Sequence, residues 1–134
     1  MTNTQPSGHL LHACVTVSSA ARARQVFSDL FGLPLVKKFE VGADLCATLF
    51  GFAGEATVHV YDAGPAAIEV FVCHEKPQPR GSYDHVCLDL ADLAAVLESA
   101  AAQGMEVRRF RKEDKDVVIL RDKDGNLYEL KQRV

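Results

Sequence analysis

The stretch "HACVTV", beginning at His12, returns later in the chain as "HVCLDL", beginning at His85. Both read histidine, apolar residue, cysteine, then apolar residues at alternate places. Each leads into a helix-like stretch: "SSAARARQVFSDLF" from Ser18 to Phe31, and "ADLAAVLESAAAQ" from Ala91 to Gln103. Each stretch stops at a glycine, the residue that most readily takes the left-handed conformation closing a helix. Gly32 lies twenty positions after His12, and Gly104 nineteen after His85. A duplication so nearly in register demands a fold that can be built twice from one supersecondary unit.

After each glycine come runs of alternating or continuous apolar residues bounded by turn formers, the pattern of strands. In the first half they are Leu35–Val41, Leu45–Phe52, Ala56–Tyr61 and Ala67–Cys73; in the second, Glu106–Phe110, Asp116–Arg121 and Asn126–Gln132. Each half therefore reads as strand, helix and about three strands. The predicted class is α+β, a mixed sheet with its helices on one face. At 134 residues the chain fits one domain. A flexible N-terminus over residues 1–8, a first module over 9–76, a linker at Pro77–Ser82 and a second module over 83–134 divide it.

Strand side chains alternate between faces, so the repeat also sorts its chemistry. In the first strand Leu11, Ala13, Val15 and Val17 make an apolar face for the helix stripe of Val26, Leu30 and Leu33. His12, Cys14 and Thr16 point the other way. In the matching strand Val86, Leu88 and Leu90 face the helix residues Leu93, Val96 and Leu97, while His85, Cys87 and Asp89 point away. In "AIEVFV" Ile68, Val70 and Val72 share one face and Glu69 lies on the other; in "NLYELKQ" Glu129 lies opposite Tyr128 and Leu130. A carboxylate in so apolar a strand needs a compensating partner. A lone strand histidine is ordinarily a packing residue. Matched histidines opening each half and matched glutamates closing each half instead make a donor set for a divalent transition metal: Ni, Co, Zn, Mn or Fe. His9, His59 and His74 have no repeat mates and read as surface or packing residues.

Composition narrows the partners. A net charge of -3 without a basic block excludes a nucleic-acid stripe. No apolar run is long enough for a membrane span and Met1–Gly8 lacks the form of a signal peptide, so a soluble cytoplasmic protein is expected. The four cysteines form no CxxC pair and are expected to be reduced residues of the core or of a cavity wall. Arg108, Arg109, Arg111 and Lys112 read as charges guarding an edge strand; one of them could instead bind an anionic substrate group.

The stretch "DKDGNLYELKQ", from Asp122, has the look of a calcium loop. Such a loop needs glycine sixth and a carboxylate twelfth. Those places hold Leu127 and Arg133, and the glycine comes early, at Gly125. Asp124-Gly125 is a turn pair that feeds a strand and aims Glu129.

From Leu10 to Gln132 the chain resembles the vicinal oxygen chelate superfamily of glyoxalases, bleomycin-resistance proteins and ring-cleaving dioxygenases. The resemblance rests on "LLHACVTV", "FGLPLV", "AIEVFV", "YDHVCLDL" and "RDKDGNLYELKQ". It implies two βαβββ modules around a metal cleft, with His12, Glu69, His85 and Glu129 at the ligand positions. It also implies a homodimer, a small-molecule substrate, and a site lying within one chain or shared between two.

The implied activity is that of a metal-dependent lyase or isomerase of glyoxalase or epimerase type, stabilising an enolate of a small oxygenated metabolite. Glu129 would be ligand and base, Glu69 partner ligand and second base, and both histidines neutral ligands. Thr16 stands where the glyoxalase I branch has a glutathione-gripping arginine, and Cys73 where it has an asparagine, which argues against glutathione dependence. Two other readings stand beside this one. The first is a non-catalytic drug or metabolite binder whose cleft is lined by Phe50, Phe52, Phe71 and Phe110, although such residues are more often plain core. The second is an iron-dependent dioxygenase or thiol transferase.

Overall fold

A computed structural model of the chain describes residues 8–51, 54–74 and 84–134. Phe52, the Pro77–Ser82 connection and residues 1–7 lie outside them. The first half runs β1 (His12–Val17), α1 (Ala20–Ala23, continuing as a π-helical stretch over Arg24–Leu30), β2 (Leu35–Val41), α2 (Ala43–Phe50), β3 (Ala56–Asp62) and β4 (Ala67–Val72). The second runs β5 (Val86–Leu90), α3 (Leu93–Ala102), β6 (Glu106–Lys112), β7 (Lys115–Arg121) and β8 (Leu127–Gln132). The strands form two four-stranded mixed sheets of the same topology, β1-β4-β3-β2 and β5-β8-β7-β6. In each, the first strand pairs in parallel with the last and the remaining pairs are antiparallel. These are two βαβββ modules.

Helices α1 and α3 start where side-chain oxygens satisfy free backbone donors. Ser19 accepts from the Arg22 amide at 3.1 Å, and Asp92 from the Ala95 amide at 3.1 Å. Gly32 and Gly104, with φ of +68° and +79°, follow the two helices. No helix among the described residues is long and apolar enough to cross a membrane.

The helix-bearing faces of the two sheets share one core. Val15, Val17, Ile68 and Val70 of the first sheet join Leu90, Leu120, Tyr128 and Leu130 of the second around Val26, Phe27, Leu30 and Leu97. Phe27 meets Tyr61 at 5.4 Å and Tyr128 at 5.9 Å between ring centroids, so one ring touches both modules. Val26, Phe27, Leu30 and Phe31 are buried, whereas Leu33 only packs against the cluster. Leu11 precedes the first strand and stands 75% exposed, outside the core face it was expected to join.

One predicted strand is a helix. Residues 45–50 lie in α2, not in a strand running from Leu45 to Phe52. The apolar run there satisfies i, i+4 spacing, through Leu45 with Leu49 and Cys46 with Phe50, and Gly51 (φ +80°) supplies the left-handed cap. Its Cys46 packs with Val41, Val58 and Val60, and Phe71 lies against the same small cluster. These residues project from the first sheet on the side away from the main core, so α2 covers part of that side. β6 and β7 are instead joined by a turn at Glu113 and Asp114, so the two modules differ here.

Candidate functional site

Each sheet turns its other face, the one opposite the shared core, toward a histidine and a glutamate. In β1 and β4 the register sets Cys14 beside Glu69 and His12 beside Ala67. His12 reaches diagonally along its strand, and its Nε2 lies 3.5 Å from Glu69 Oε1. In β5 and β8 Cys87 stands beside Glu129, and His85 Nε2 lies 3.2 Å from Glu129 Oε1. The second carboxylate oxygen of Glu129 lies 3.7 Å from Lys131 Nζ on the same face. Both glutamates are partly sheltered and both histidines open: side-chain exposures are 21% and 23% against 50% and 39%.

The registers extend this equivalence across each whole sheet. In the first, Cys14, Glu69, Val60 and Lys37 stand side by side on β1, β4, β3 and β2. In the second, Cys87, Glu129, Ile119 and Arg108 stand side by side on β5, β8, β7 and β6. Thiol, carboxylate, aliphatic side chain and cation thus recur in one order.

The four sequence-predicted site residues come together as two pairs. Among the described residues, no group of three or more His, Cys, Asp or Glu side chains is arranged to hold a metal ion. The reason lies in the packing. The sheets share a core through the faces opposite to those carrying the pairs, so each pair looks outward from its own module.

The thiols lie in these same rows. Cys46 and Cys73 are buried, whereas Cys14 and Cys87 are exposed on the pair-bearing faces. Partial loss of hydration around the sulfur, then the Glu69 carboxylate, push the Cys14 thiol up to about 11. Burial and then Glu129 also raise Cys87. Both remain protonated near neutral pH and are weak nucleophiles there.

The remaining candidates fall out as packing or charge pairs. His59 is buried on the core side, and burial, then Lys38, lowers its pKa. His9 and His74 are exposed. Arg108 pairs with Glu106 at 2.7 Å and Arg109 with Asp116 at 3.7 Å on the sheet's edge strand. Phe50 packs edge-on against Phe71 at 5.6 Å, beside Glu69, while Phe110 stands 68% exposed on the face of Glu129.

The Asp122 turn is closed to cations. The buried Asp122 accepts at Oδ1 from the amides of Asp124 and Asn126, each at 2.9 Å. At Oδ2 it accepts from Asn126 Nδ2 at 3.1 Å and the Tyr128 hydroxyl at 2.8 Å. These bonds fill the lone pairs of the carboxylate. Sequence reasoning missed α2 and Lys37. For α2 the i, i+4 spacing was a readable signal; for Lys37 there was none, because its place in the row depends on strand register.

Residues 9–130 match the family model described as the glyoxalase/bleomycin resistance protein/dioxygenase superfamily. Solved structures of similar shape include a glyoxalase family protein from Bacillus cereus, at 16% identity and TM-score 0.71, covering 97% of each chain. The trypanothione-dependent glyoxalase I of Leishmania major aligns at 16% identity and TM-score 0.69, over 94% of this chain and 87% of that one. A mutant of the fosfomycin resistance protein FosX of Listeria monocytogenes, complexed with Mn(II) and a dihydroxypropylphosphonic acid, aligns at 16% identity and TM-score 0.67. That alignment covers 97% of this chain and 95% of that one. The comparison with curated proteins found no match.

Proposed function

Because this chain belongs to the glyoxalase/bleomycin resistance/dioxygenase superfamily, we propose that it is a divalent-metal-dependent lyase or isomerase acting on a small oxygenated metabolite. His12, Glu69, His85 and Glu129 form its metal-holding set. The observation behind this reading is the matched His–Glu pairing at 3.5 and 3.2 Å in two modules of equal register. Two donors each about 2.1 Å from one ion stand roughly 3.0–3.4 Å apart, so each pair has the spacing of neighbouring ligands. Imidazole and carboxylate together suit a borderline divalent ion.

Each pair alone offers only half a coordination shell. Since the pairs face outward from a shared core, the complete set comes from two copies: His12 and Glu69 of one chain with His85 and Glu129 of the other. Exposed apolar side chains on these same faces, Phe39 and Phe110 among them, favour burial against a second copy.

When bound, the ion supplies a Lewis acid for the negative charge that develops on a substrate oxygen. The protein's own part is proton movement. Glu129, with Oε1 toward His85 and Oε2 toward Lys131, takes a proton from carbon next to the substrate carbonyl. Glu129 then gives that proton back at the neighbouring carbon, giving isomerisation, with Glu69 on the other half as partner ligand and second base. His12 and His85, each beside its glutamate, add a nitrogen donor to each half of the set.

A second reading, a binder without turnover, is favoured by the Phe50–Phe71 pair beside Glu69, which supplies an apolar wall. Metal analysis of reloaded protein tests the first. Stoichiometric divalent ion in the wild type and its loss in Glu129→Gln are expected; no retained ion, or uptake indifferent to Glu129→Gln, overturns it. Proton exchange from carbon acids next to a carbonyl, measured on the loaded protein, separates catalyst from binder.

A further inference from the structure

The repeat has one local irregularity beside its candidate site, and a cation stands at it. β2 and β3 pair regularly from Lys37 to Val41, but the register shifts between Leu35 and Lys37. The equivalent pair, β6 with β7, runs without a shift from Glu106 to Lys112. An extra residue in one strand bends it and re-aims the neighbouring side chain; such bulges gather at sheet edges, of which β2 is one, and near active sites.

Lys37 differs from its repeat partner in a second way. Arg108, at the same place in the second sheet, is held by Glu106 at 2.7 Å. No carboxylate among the described residues lies within ion-pair distance of Lys37. Its Nζ instead stands 5.4 Å from the centroid of the Phe39 ring. An ammonium over an aromatic ring keeps its full charge for an outside anion.

The position also suits a substrate. Lys37 lies on the face of Glu69, with Val60 between them in the row. Two strand spacings put the two backbones about 10 Å apart. The flexible lysine stem can lean back across that gap. β2 is an edge strand, where a lysine and a bulge can also serve as guards. What sets Lys37 apart is the lack of a carboxylate partner among the described residues together with its place on the face of Glu69.

From these observations we infer that Lys37 anchors an anionic group of the substrate, a carboxylate or phosphonate set a few atoms from the oxygens that engage the metal. This rests on the metal-centre reading above. The substrate class is therefore a small acid with a chelating head and a charged tail.

The test uses cobalt-loaded protein and two probes of equal chain length, 2-oxoglutarate and 2-oxopentanoate, in which a methyl group replaces the far carboxylate. Calorimetric titration of the wild type should give at least tenfold tighter binding of 2-oxoglutarate. In Lys37→Met the preference should vanish with metal content and the 2-oxopentanoate Kd unchanged; in Lys37→Arg it should persist. Equal binding by the wild type, a preference surviving in Lys37→Met, or no binding of either probe to metal-loaded protein overturns the inference. Protein that fails to retain cobalt overturns the metal-centre reading itself, and this inference with it.

Discussion

Asn126, in the last turn of the second module, donates its side-chain amide to the backbone carbonyl of Thr16 in the first strand of the first module, at 2.8 Å. In the same turn Asp124 Oδ2 accepts from the Ser18 amide at 3.2 Å. The Asp122 carboxylate holds this turn in shape, with Tyr128 beneath it. Asp122→Ala removes four acceptor bonds and strands the buried Tyr128 hydroxyl. A loss of about 3 kcal/mol is expected, with about 1–2 kcal/mol for Tyr128→Phe. Urea denaturation of both variants checks the order, and a larger effect of Tyr128→Phe would contradict the account.

The outward-facing pairs predict a particular behaviour on subunit mixing. His12→Ala and His85→Ala, purified separately, should each lose tight metal binding. Mixed in equal amounts under conditions of chain exchange, they should regain about a quarter of the wild-type metal content, because about half the dimers are then mixed and one of the two composite sites in each mixed dimer has all its donors. A site built within one chain would regain none.

Acid should weaken the fold through His59. Burial and then Lys38 favour its neutral form, so its pKa falls below the ordinary 6.5. The unfolded chain then binds more protons below about 6.5, and stability falls as pH is lowered through that window. Above it the contribution is fully present. Thermal melts between pH 7 and 5 should be less steeply pH-dependent in His59→Gln than in the wild type. A parallel slope in both would remove His59 as the cause.

The paired glycines should behave as equals. Gly32 has nothing within 4 Å of an added Cβ, and Gly104 meets only the end of the Lys123 side chain at 3.7 Å. Alanine at either place meets conformational strain alone, and a loss of about 1–2 kcal/mol is expected for each. Equilibrium unfolding of the two variants measures it; a much larger loss at one site would expose packing that the repeat does not share.

Much of this was readable from residue patterns, for a definite reason. Alternation puts His12 and Glu69 opposite Val15 and Val70 whatever the tertiary context, so the pair-bearing faces follow directly from strand period. The duplication then carries the same result to His85 and Glu129. Leu11 was misjudged because alternation does not say where a strand begins. α2 was missed because a short apolar run between glycines is compatible with strand or helix, and only its i, i+4 contacts decide. That the two pairs face outward could not be read at all. It follows from Phe27 packing on Tyr128 across the modules, a contact between distant residues with no local trace.

α2 belongs to only one half of the duplication. Two identical halves would give Glu69 and Glu129 the same surroundings. Here a helix with its Phe50–Phe71 pair rises beside Glu69, while the strands beside Glu129 are joined by a short turn. The surroundings of the two glutamates are therefore chemically distinct. Under the proposed function, a substrate reaching both carboxylates would meet an apolar wall at Glu69 and, among the described residues, none of that kind at Glu129.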